Sequence, residues 1–120
     1  MEARELKETF IEEYQGASEE LNKKRFKNAT ILFSKSLFAV CDILIHSKLS
    51  KLPKNHTERF RLLEEYFPEV YSKVDVIFNE YRDAYSKPIL KETCEKIQNE
   101  IREITKTKGI PDEIKKIVEE

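Results

Sequence analysis

Leu6, Phe10 and Tyr14 recur four residues apart with Ile11 beside them and charged residues between, so residues 2–15 predict a short amphipathic helix. Gly16 predicts its end. Ser18 is then a suitable N-cap, and Glu19 and Glu20 fall in a first turn, where the helix dipole favours negative charge. No Gly or Pro interrupts the chain from there to Ser47, which predicts one long helix of about eight turns.

That long helix has apolar residues on two sides. Ala29, Leu32, Phe33, Leu37, Val40, Ile43 and Leu44 form a broad stripe, and Ile31, Phe38 and Ile45 form a second at seven-residue spacing. Polar Thr30, Ser34, Lys35, Asp42 and His46 lie between them. An exposed Ile or Phe forfeits roughly 1.5–3 kcal/mol of burial, so both sides need a cover. The helix is therefore either the centre of a bundle or, through Ile31, Phe38 and Ile45, a dimer interface.

Residues 48–56, KLSKLPKNH, read as a basic, Pro-containing loop. Thr57 is a candidate cap for the next helix, whose Phe60, Leu63 and Phe67 point inward. Pro68 suits the first turn of a fourth helix carrying Val70, Val74, Ile77, Phe78, Tyr81 and Tyr85. Pro88 disfavours helical geometry at Lys87 and marks a break after Ser86. Leu90, Cys94, Ile97, Ile101 and Ile104 then alternate three and four apart, a narrow seam closed by Gly109, and Pro111 opens a short terminal helix with Ile114, Ile117 and Val118.

The chain of 120 residues suffices for one core and not for two, so it reads as a single domain over residues 1–120. With 38% charged residues, two glycines and no tryptophan, composition agrees with helix throughout. The expected fold is all-α, an antiparallel bundle of four main helices with short additional terminal helices.

Charge limits function. Twenty-two Lys and Arg nearly cancel 23 Asp and Glu, so any attraction for an anion must come from a local patch. Cys41 and Cys94 both fall at apolar positions without CxxC spacing, which reads as two buried thiols. The first residues, MEARELKETF, are charged from the second, and no run reaches about 18 apolar residues, so a cytoplasmic location without membrane contact is expected.

Two glycines rule out GxxxxGK[ST] and GxGxxG phosphate loops. HExxH, ExxH and Cys/His clusters are absent, and the two histidines lie ten residues apart, so neither a metal nor a cofactor is implied. Three features remain. Arg82 lies at the border of the fourth helix's apolar face, where its stem can rest on the core while its planar fork turns out to a carboxylate or a phosphate. Lys48, Lys51, Lys54 and His56 place positive charge and an imidazole in one loop, either solvated or meeting an anion. Tyr81 and Tyr85 flank Arg82, as core residues or as surfaces on which a base stacks.

The order of these pieces resembles the HEPN (higher eukaryotes and prokaryotes nucleotide-binding) domains. NATILFSKSLFAVCDILI resembles their long first core helix, KLPKNH with TERFRLLEEYFP their lysine-and-histidine loop and next helix, and FNEYRDAYSKP with KETCEKIQNEI their arginine-bearing and closing helices. The likeness spans residues 18–106. It implies a homodimer, pairing with a minimal nucleotidyltransferase in a toxin and antitoxin system, and contact with nucleotide or RNA. Many such domains are metal-independent ribonucleases that join an Arg and the polar residue after it to a His, with four to six residues between the Arg and the His. Arg82 and Asp83 match the first two. The histidine would fall at 87–89, where Lys87, Pro88 and Ile89 stand. The resemblance thus implies a non-catalytic binding or regulatory module with Arg82, Asp83, Tyr81, Lys54 and His56 at its ligand site. The alternatives are a ribonuclease using Arg82 with His56 or Tyr85, and a helical adaptor without a nucleotide role.

Overall fold

The structure, a computed structural model, describes residues 3–119 and contains six helices there: α1 (Ala3–Asn22), α2 (Phe26–Leu49), α3 (His56–Tyr66), α4 (Pro68–Asp83), α5 (Lys91–Ile104) and α6 (Asp112–Glu119). The predicted start of the first helix at Glu2 lies outside the described residues. The all-α bundle of four longer helices with short ones added is as the sequence predicts.

The first boundary differs. α1 runs through Gly16 and Ser18 and stops only at Asn22. Gly16 faces Leu32 of α2 within a continuous helix, and Ala17 behind it is fully buried, so packing against α2 overrides the weak helix preference of glycine. The stop is made by Lys24, left-handed at φ 60°. Arg25 N–H donates to Glu20 C=O and Lys24 N–H to Leu21 C=O, both at 2.9 Å, which is the Schellman closure with lysine where glycine is usual. Two antiparallel helices of 20 and 24 residues result in place of a short helix and a longer one.

α2 is the centre of the bundle. Ala29, Phe33, Leu37, Val40 and Leu44 are fully buried, and on the second side Ile45 is also fully buried and Phe38 is 6% exposed. This corrects the dimer-interface alternative for that stripe. Phe38 is enclosed by this chain's own His56, Phe78 and Tyr81 rings at 4.8–5.9 Å, and of the three residues only Ile31 keeps intermediate exposure. α2 is long and apolar enough to cross a membrane, yet 72% of its most apolar window is buried inside the bundle, which accounts for that apolarity as a central helix.

The other helices are held by their ends. Asn55, not Thr57, caps α3, its side-chain oxygen accepting from Glu58 N–H at 2.9 Å, so the helix begins at His56. Pro68 occupies the first turn of α4. α5 runs parallel to α2: Cys94 in its first turn meets Thr30 Oγ1 and the Phe26 carbonyl, both at 3.2 Å, and Gly109 beyond its end meets Ser47. Its seam is Cys94, Ile97, Ile101 and Ile104, because Leu90 falls before the helix and is 68% exposed. α4 returns antiparallel to α5, with ion pairs from Lys73 to Glu100 and from Lys96 to Glu80.

Candidate functional site

The start of α3 and the last two turns of α4 meet over the middle of α2. The ring of His56 lies 4.8 Å from Phe38, 5.0 Å from Phe78 and 6.5 Å from Tyr81. Nothing in the sequence pattern brings His56 near the arginine-bearing helix; the short α3–α4 connection does so by folding α4 back along α3.

Arg59 controls that histidine. One turn after His56 on α3, it donates from Nε and Nη2 to the two oxygens of Asp42 at 2.7 and 2.9 Å, a bidentate pair with both side chains about seven-eighths covered. Its third contact runs from Nη1 to His56 Nδ1 at 2.6 Å. A guanidinium only donates, so Nδ1 must accept and the ring proton sits on Nε2. Burial, and next the neighbouring Arg59 charge, hold His56 below its usual pKa of 6.5. His56 is thus a neutral imidazole whose basic lone pair is already used. Burial lowers the pKa of the Arg59 guanidinium, but the hydrogen bond to Asp42 and then the Asp42 charge more than offset it, so Arg59 stays a cation.

Arg82 is exposed. Its guanidinium carbon sits 5.6 Å from the centroid of Phe78, and among the described residues no acid pairs with it. Asp83, next in sequence, is turned to Lys87 at 3.7 Å. The ion pair that would have made Arg82 a plain surface residue is not formed, and its fork is free for a planar anion. Phe78 touches both His56 and Arg82, so the two share one aromatic neighbour.

Tyr81 and Tyr85 continue this surface. Their rings meet edge to face at 5.5 Å and their hydroxyls lie 3.2 Å apart. Burial, then the bond to Tyr85, push the Tyr81 phenol up to about 12, so it does not act as a base near neutrality. Tyr85 is 55% exposed, an aromatic face open to solvent. Lys54 is exposed in the loop just before α3. Of the residues singled out in the sequence, His56, Tyr81 and Arg82 gather around Phe78, Tyr85 joins through Tyr81, and Asp83 is engaged with Lys87.

The sequence reading missed Arg59. TERFRLL looks like an ordinary helix surface, but Asp42 is a lone acid between two apolar stripes of a central helix, and such an acid requires a cation from whatever covers it. No group of three or more His, Cys, Asp or Glu among the described residues has a metal-binding arrangement. Comparison of the chain with protein-family models, with curated proteins and with solved structures finds no match.

Proposed function

We propose that this chain is a HEPN-like, non-catalytic nucleotide- or RNA-binding module. In this reading it acts in the cytoplasm as a homodimer beside a minimal nucleotidyltransferase, and it holds its ligand through Arg82, Tyr81, Tyr85, Lys54 and His56. The observation that carries the proposal is the free Arg82 fork resting on Phe78 beside the open face of Tyr85. A guanidinium without an acid suits a phosphate, and an exposed tyrosine next to it suits a base.

Two features favour binding over cleavage. The only histidine near Arg82 has its Nδ1 lone pair committed to Arg59, and Tyr81 holds its proton far above neutral pH. Neither group can take a proton from a ribose hydroxyl at pH 7 without first losing its present partner.

Fluorescence anisotropy with a labelled single-stranded RNA tests the proposal. The wild-type chain should bind with an affinity that falls as salt rises, and Arg82→Ala should weaken binding about tenfold, the worth of one charge-assisted hydrogen bond. Equal affinity of the two proteins would overturn it.

A further inference from the structure

The helices around α2 leave a gap between α1 on one side and α3 with α4 on the other. A cleft of about 290 Å³ opens there. Its floor is a strip of α2 with Lys35, Phe38, Ala39 and Asp42 at helical spacing, and α1 contributes Leu6, Thr9 and Glu13 along the facing wall. Asp42 and Lys35 are seven residues apart on α2, so the two polar ends of the cleft are separated by roughly 10 Å.

The ends differ in charge. At one, Asp42 and Arg59 neutralise each other and Arg59 holds His56 neutral. At the other, Glu13 and Lys35 have no ion-pair partner among the described residues. They are near neighbours all the same: burial raises the Glu13 carboxyl, and Lys35 is the first charge drawing it back. This end therefore presents two carboxylate oxygens and one ammonium beside the rings of Phe38 and Tyr81.

We infer that the cleft takes a guanine base, read at one edge by Glu13 and Lys35 and held against the partly exposed ring of Tyr81. Guanine presents two adjacent N–H donors, N1 and the 2-amino group, followed by the O6 acceptor. Two carboxylate oxygens accept from the donors and an ammonium donates to O6. No other common base carries that sequence of groups. Adenine and cytosine turn a ring-nitrogen acceptor toward the carboxylate, uracil turns a carbonyl, and hypoxanthine lacks the 2-amino donor.

The inference rests on the nucleotide reading above, shares Tyr81 with it, and adds a base preference set by Glu13 of α1 and Lys35 of α2. Titration of the isotopically labelled chain with GMP, IMP and AMP, followed by NMR, tests it. GMP should shift the amides of Thr9 and Ala39 and bind roughly tenfold or more tighter than AMP, with IMP between them. Glu13→Gln should remove the preference for GMP over AMP, and Lys35→Met, at an exposed position that leaves the core intact, should weaken GMP and spare AMP. Equal affinities for the three nucleotides, or a preference for GMP that survives both substitutions, would overturn the inference. If RNA binding sensitive to Arg82→Ala persists without any base preference, the guanine site falls and the RNA module stands. If neither RNA nor mononucleotide binds, both fall.

Discussion

Arg59 Nη1 donates to His56 Nδ1 across 2.6 Å, and that bond decides what the histidine can do. It fixes the tautomer, places a permanent cation next to the ring and occupies the nitrogen that would otherwise accept a proton. The first consequence is a pH dependence. The folded state holds the imidazole below its ordinary 6.5, so the unfolded chain takes up the proton first as the pH falls. The stability due to neutral His56 should be whole above about 6.5 and decline below it until His56 titrates in the folded protein. Urea midpoints at pH 7.5 and 5.5 should differ, and His56→Asn should reduce the difference. An NMR titration of His56 with its midpoint at or above 6.5 would contradict this account.

Asp42 and Arg59 stand or fall together. Removing one partner leaves a covered charge unmatched, so Asp42→Ala should cost about 3 kcal/mol in urea unfolding. Replacing both by leucine should recover much of that, since well-packed apolar residues often match a buried pair. A cost under about 0.5 kcal/mol for Asp42→Ala would mean that water, not Arg59, solvates the carboxylate.

The two glycines should respond oppositely to alanine. Gly16 lies inside α1, where an added Cβ would meet Leu32 at an ordinary 3.5 Å, so Gly16→Ala should stabilise by about 0.5–1 kcal/mol. Gly109 has φ +110°, and a Cβ there would approach Ser47 Oγ to 2.9 Å, so Gly109→Ala should destabilise by about 1–2 kcal/mol. Thermal melts of both variants check this, and destabilisation by Gly16→Ala would restore a break in α1 at that residue.

The second stripe of α2 should divide by burial. Ile45 is fully covered, so Ile45→Ala should cost about 2–5 kcal/mol. Ile31, only partly covered, should cost less than about 1.5 kcal/mol on the same change. Equal costs in chemical denaturation would argue that both face the same surroundings.

Much of the fold was legible in the sequence. Two apolar stripes on one uninterrupted segment identified α2 as needing cover on both sides, Pro68 fixed the start of α4, and the spacing of Cys94, Ile97, Ile101 and Ile104 fixed the buried face of α5. The break after Asn22 was not legible, because Lys24 takes a left-handed conformation that local preference assigns to glycine, while Gly16 is absorbed by contact with Leu32. At the site, Arg82 and the tyrosines were visible as residue types on a helix border. The His56–Arg59–Asp42 set was not, since it joins positions 17 residues apart through packing of α3 on α2. The same holds for Glu13 and Lys35, which only the α1–α2 hairpin brings to one cleft.

The central claim, a surface that binds RNA without cutting it, meets its most direct test in one incubation. End-labelled RNA is held with the purified chain at pH 7 in EDTA, complexes are separated on a native gel, and the RNA recovered from them is sized on a denaturing gel. The account predicts a shifted complex that needs about tenfold more protein with Arg82→Ala, and RNA of unchanged length with either chain. Shortened RNA with the wild-type chain, absent with Arg82→Ala, would contradict it.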